Sequence, residues 1–138
     1  MLVDMLIDEG LELLTEDQCG DLLASQSFGR VGVTVGGLPV IMPVNYAFAD
    51  GTVVFRSGPG TKLRAVSAGA VIAFEIDAWD SANGTGWSVL VVGRAEEVTD
   101  VGEIQDLNGR APHPAVDGDR THYVRLRPEL MTGRRIAS

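Results

Sequence analysis

Between Gly29 and Ser57 the chain reads GRVGVTVGGLPVIMPVNYAFADGTVVFRS, and two turn signals, Gly36-Gly37 and Ala49-Asp50-Gly51, cut it into short apolar runs. GRVGVTV sets Val31, Val33 and Val35 at alternate positions, the period of a half-buried strand, and Asp-Gly between two such runs signals a hairpin. Connections this short join antiparallel neighbours only, so the stretch commits the chain to a sheet grown by successive hairpins. Pro39 and Pro43 each remove a ladder donor, which places an edge, a bulge or a barrel corner in the second run.

The flanks extend this pattern. Thr15 to Gln26 (TEDQCGDLLASQ) predicts a short helix, with Thr15 and Gln18 spaced as a capping box. Thr61 to Ala68 reads as a second short helix with Gly69 at its end. AVIAFEIDAW, from Ala70 to Trp79, and WSVLVVGRAEEV pair as a hairpin across the turn-rich DSANGTG. Asp100 to Leu107 reads as a further helix and APHPAVDGDR as a loop; His122 to Arg127 gives a late strand and Arg134 to Ala137 one more. Six or more strands with short connections and small helices predict an all-β fold, a barrel with helical decorations. One domain is expected over 1–138, with a helical segment over 1–27 and the barrel over 28–138. There is no GxGxxG, so a cofactor would be held by barrel strands and loops.

Charge narrows the partners. Eleven basic against nineteen acidic residues give a net charge of -8, which repels the phosphates of nucleic acid over most of the surface. The one cysteine, Cys19, allows no intramolecular disulfide and no CxxC pair, fits a reducing cytoplasm, and reads as a small buried hydrophobe. MLVDMLIDEGLELL is broken by four carboxylates and has no basic residue before it, so neither a signal peptide nor a membrane span is expected. His113 and His122 are far apart and make no metal site; the acidic residues at 96, 97, 100, 103 and 106 read as a solvated face. No Ser/His/Asp set or paired-carboxylate spacing stands out.

Three stretches carry chemistry. FRSGPGTKLRAV holds the only lysine of the chain, Lys62, directly after a glycine-rich turn. A helix beginning there would aim unpaired amides at an anion, and Arg56, Thr61, Lys62 and Arg64 would reverse the acidic average locally. A plain cap after a Gly-Pro-Gly turn explains the same residues without a ligand. PVNYAF places Asn45 beside an aromatic on a proline-bent strand, able to hydrogen-bond a planar ring or to make a barrel corner around a buried Tyr46. GWSV puts an indole and a hydroxyl at a strand start, for stacking, a subunit contact or core packing.

In this order the segments resemble the pyridoxamine 5'-phosphate oxidase-like family of flavin-binding split barrels, over almost the whole chain from LTEDQCGDLL to HYVRLRPELMTGRRI. The resemblance implies a six-stranded antiparallel split barrel, a homodimer, and two flavin mononucleotides (FMN) in grooves between the subunits. It assigns Arg56, Ser57, Thr61 and Lys62 to the phosphate and ribityl region, with Gly60 allowing close backbone approach. Pro43, Val44, Asn45 and Tyr46 match the strand along the isoalloxazine ring, and Trp87, Ser88 and Val89 come from the partner subunit. Arg134 or Arg135 is expected to line the same groove. The longer run of basic substrate residues found in the vitamin-converting enzymes is missing, so the closer likeness is to small bacterial members and the nitroimidazole-reductase-like branch. The activity implied is a cytoplasmic FMN-dependent oxidoreductase working with a small-molecule electron donor or acceptor. The alternatives are a flavin-binding carrier or sensor without turnover, a deazaflavin-dependent reductase, and a structural domain with a degenerate site.

Overall fold

The computed structural model describes residues 11–56, 68–110 and 122–136. Its elements run β1 (Glu12–Leu14), α1 (Glu16–Ser25), β2 (Phe28–Val35), β3 (Leu38–Ala49), β4 (Thr52–Arg56), β5 (Ala68–Asp80), β6 (Thr85–Val98), α2 (Val101–Arg110) and β7 (Tyr123–Ile136). The two hairpin turns have the backbone that their sequences require. Gly36 and Gly37 have φ of 57° and 81°, Asp50 and Gly51 of 53° and 75°. Left-handed values at both central positions match the twist of the strands they join. β2 pairs with β3 from Val35 opposite Leu38 to Phe28 opposite Asn45, and β3 with β4 from Ala49 opposite Thr52 to Tyr46 opposite Phe55.

The strand order is β1-β7-β4-β3-β2-β5-β6, and β6 also pairs with β7. Six antiparallel strands, β7-β4-β3-β2-β5-β6, therefore close on themselves as a split barrel, and β1 adds to β7 beyond the end of β4. Pro39 and Pro43 do not interrupt β3. Both fall in its first part, Leu38 to Asn45, which is laddered to β2 alone, so a missing N–H is tolerated there.

Alternation puts one side chain in two inside. Val31, Val33, Tyr46, Val53, Phe55, Ile72, Phe74, Ile76, Val89, Val91, Ala95, Val124 and Leu126 form the core with Leu14, Cys19 and Leu23, so α1 contributes its buried face to the same cluster. Thr15 caps α1 with both bonds of the capping box, Gln18 N–H to Thr15 Oγ1 at 3.2 Å and Thr15 N–H to Gln18 Oε1 at 2.9 Å. The Tyr46 hydroxyl donates to the Leu23 carbonyl at 2.6 Å and its ring meets Phe74 edge-on at 4.7 Å. Cys19 is buried, as expected, and desolvation followed by the charge of Glu16 raises its thiol pKa. A second cluster, Val54, Val98, Leu107 and Tyr123, lies under α2.

Three outcomes differ from the sequence expectation. Arg134 to Ile136 is no separate strand; it continues β7, which runs unbroken through Pro128. The proline is accommodated at a bulge, where Gly93 faces Pro128 but Val92 faces Leu130, so the ladder is already interrupted. Glu12–Leu14, in the segment expected to be helical, is a strand because β7 outruns β4 and offers it an edge. Ala68, expected to end a helix, opens β5, while the rest of the expected 61–68 helix lies outside the described residues.

Candidate flavin site

Arg56 ends β4 with its outward side chain over the ring of Tyr123, the guanidinium carbon 5.3 Å from the ring centroid. Burial pushes the Tyr123 phenol up, while the charge and a hydrogen bond of Arg56 pull it down. Arg56 Nε and Nη1 are buried and have no hydrogen-bond partner among the described residues. A guanidinium is charged at any ordinary pH, and leaving its donors unmade costs free energy, so this geometry fits an anionic group with two acceptor oxygens. Ser57, Gly60, Thr61 and Lys62, expected to share that anion, lie outside the described residues.

Asn45 stands one residue before Tyr46, and Arg56 one after Phe55, so both flank the Tyr46–Phe55 pair at the same end of the ladder. Since Tyr46 and Phe55 point inward, alternation turns Asn45 and Arg56 outward together. Two of the three expected segments thus meet. Pro43 is also outward and exposed, Val44 packs against the core, and Tyr46 offers a ligand only its backbone. Desolvation pushes the Tyr46 phenol up to about 12, as its role inside the barrel requires.

The third segment sits elsewhere. Ser88 on β6 faces Asp77 on β5 and Arg134 on β7, while Trp87 faces Ala78 and Arg135. Val89 is fully buried in the core. Both β4 and β6 pair with β7, but Arg56 lies opposite Tyr123 at its start and Ser88 opposite Arg134 near its end, so the two segments are separated along the length of that strand. Around this segment lie two cavities. One, of about 320 Å³, is lined by Glu75, Asp77, Trp79, Trp87, Ser88 and Arg134 among others; the next, of about 370 Å³, takes in Asp80, Thr85 and Arg135. Gly86 is required there, because a Cβ would come within 2.5 Å of the Trp79 indole and 2.7 Å of the Ala78 carbonyl.

The sequence reading missed Arg30, Glu75 and Asp77. Arg30 Nη1 lies 3.2 Å from Glu75 Oε1 and 3.3 Å from Asp77 Oδ2. Burial first, then a hydrogen bond that its protonated form donates to Asp77 and the repulsion of that carboxylate, push the Glu75 carboxyl up to about 7, against the pull of Arg30. The signal was present as two acids at i and i+2 of a strand, which share a face, but their arginine is 45 residues away and only the register of β2 on β5 unites them. His122, whose role was open, lies with Nδ1 2.9 Å from Glu97 Oε1. Glu96 and Glu103 likewise engage Arg127 and Arg125, so part of the expected solvated acidic face is tied to β7. Among the described residues no group of three or more His, Cys, Asp or Glu could hold a metal, and no helix is long and apolar enough to cross a membrane.

The closed six-stranded antiparallel barrel is that of the split-barrel class of flavin-binding folds. The pyridoxamine 5'-phosphate oxidase family model matches residues 15–135, and the chain belongs to that family. It is 38% identical over 130 residues to an uncharacterised protein of Mycobacterium tuberculosis, covering 91% of this chain and 85% of the relative. A solved FAD-binding protein of Mycobacterium smegmatis is 34% identical and superposes with a TM-score of 0.75, covering 90% of this chain and 97% of that one. A protein of unknown function from Corynebacterium diphtheriae is 28% identical, with a TM-score of 0.76 and coverage of 94% and 100%.

Proposed function

We propose that this chain binds a flavin as a homodimer and uses it as an oxidoreductase. The observation that carries the reading is the buried, unsatisfied pair of donors on Arg56 beside the outward Asn45. Arg56, with Ser57, Thr61 and Lys62 following it, would hold the phosphate, Gly60 would let the backbone approach, and Pro43 to Tyr46 would run along the ring edge. When bound, the flavin supplies the electron transfer, and the residues present bind it, orient it and exclude water.

A second copy is part of the proposal because the Trp87 and Ser88 wall lies beside Arg135 and Arg134 near the end of β7, whereas Arg56 lies beside Tyr123 at the start of that strand. A partner brings that wall to the other protomer's phosphate end. The outer sheet between them is suited to being covered: Ile41, Gly32, Ala73, Val92 and Leu130 form one uncharged row across five strands, and Ile41 is 73% and Trp79 60% exposed.

FMN is the cofactor the Arg56 cluster favours, since a terminal phosphate matches its donors. FAD is the second reading, because the 34% identical relative from Mycobacterium smegmatis binds it. Visible absorbance of freshly purified protein, with mass spectrometry of the released chromophore, separates FMN, FAD and deazaflavin. Protein that is colourless and takes up none of them overturns the proposal. Oxidation of a reduced nicotinamide above the free-flavin rate separates an enzyme from a carrier or sensor.

A further inference from the structure

The outer wall holds a charged island where β2 meets β5, and its position gives it a use. The row above Ile41–Gly32–Ala73–Val92–Leu130 reads Pro43, Arg30, Glu75, Leu90 and Thr132, and the next brings Asp77, Ser88 and Arg134 together. Arg30 Nη1 alone serves both carboxylates, so the fully ionised set of Arg30, Glu75 and Asp77 carries one negative charge in excess. One proton makes it neutral. The side chains of Arg30, Glu75 and Asp77 are 48%, 34% and 41% exposed, so in a lone chain water still screens the excess charge.

We infer that the Arg30–Glu75–Asp77 set is a proton-coupled switch on self-association, taking up a proton when a second copy covers this face. The inference rests on the dimer reading above. Covering the set removes the water that stabilises its ionised form, and the nearby apolar row offers no compensating charge. The groups facing the pair are Arg30 from β2 and Arg134 from β7, with Pro43 and Asn45 from β3 and Ser88 and Leu90 from β6 uncharged. Arg134 is the one further cation; it lines the same cavity and makes no ion pair with either carboxylate among the described residues. Glu75 already holds its proton up to about pH 7, within reach of ordinary cellular pH.

Association therefore weakens as pH rises. Sedimentation equilibrium of the full chain, as purified, from pH 6 to pH 8 is expected to show the dimer dissociation constant rising about tenfold or more, since each of the two protomers contributes a proton. Glu75→Gln, which mimics the protonated acid, is expected to remain dimeric at pH 8 with the dependence removed. Dilution calorimetry of the unaltered chain in buffers of different ionisation enthalpy provides the second reading, with proton release on dissociation near pH 7. A dimer whose constant is unchanged across this range, or whose dissociation releases no proton, overturns the switch and leaves the dimer standing. A chain monomeric at every pH overturns the dimer reading and the switch with it.

Discussion

Arg56 and Tyr46 show how adjacent ladder positions are divided between stability and binding. Arg56 keeps two buried donors without partners among the described residues, beside an aromatic ring, a cost that a phosphate would relieve. Arg56→Ala is expected to weaken FMN binding roughly ten- to a hundredfold, in line with about 1.5–3 kcal/mol for a charge-assisted bond, and riboflavin binding far less. Equal losses for the two ligands, measured by fluorescence titration, would remove Arg56 from the phosphate site. Tyr46 instead gives its hydroxyl to Leu23, one of the last carbonyls of α1, which has no partner from within the helix. Tyr46→Phe is expected to cost about 1–3 kcal/mol in urea unfolding by stranding that buried acceptor. An unchanged midpoint would show that water replaces it. Sequence alone flagged both residues but could not divide their roles, because the division depends on which way each side chain points once β3 and β4 are paired.

At the level of elements, the turns and caps were legible and the strand ends were not. Asp50-Gly51, Gly36-Gly37 and the Thr15–Gln18 box act within a few residues, so their sequence is sufficient to specify them. β1 depends on a partner more than a hundred residues away, Glu12 with Arg135, and the full length of β7 on its ladder to β6, from Tyr123 opposite Val98 to Ile136 opposite Gly86. The bulge at Gly93 is the device that keeps β7 continuous through Pro128. A Cβ on Gly93 would collide with the Arg127 carbonyl oxygen, which is backbone and cannot swing aside. Gly93→Ala is accordingly expected to be among the most damaging single changes, several times worse than Gly32→Ala, whose nearest neighbour is the Ala73 Cβ at 3.7 Å. Comparable thermal midpoints for the two variants would refute the close approach.

Across the whole molecule, Glu75 links fold and pH. An unfolded glutamate titrates near about 4.3, and the folded one near 7, so between these values the folded chain binds more protons than the unfolded one. Its contribution is complete below the unfolded value and is lost as pH rises towards and through 7. The difference in urea midpoint between the unaltered chain and Glu75→Gln should therefore change between pH 4.5 and 7.5, in favour of the variant at the higher pH. A constant difference would place the group's pKa back in the ordinary carboxylate range.

The sequence by itself determined the all-β class, the hairpin order and the helix cap, because each is written in residues close enough to act on one another directly. Only the tertiary structure decided the closing of β6 on β7, the meeting of Asn45 with Arg56, and the convergence of Arg30 on Glu75 and Asp77. Those pairings join residues far apart in the chain. Their register is set by which alternate side chains the core accepts, a choice made by all six barrel strands at once.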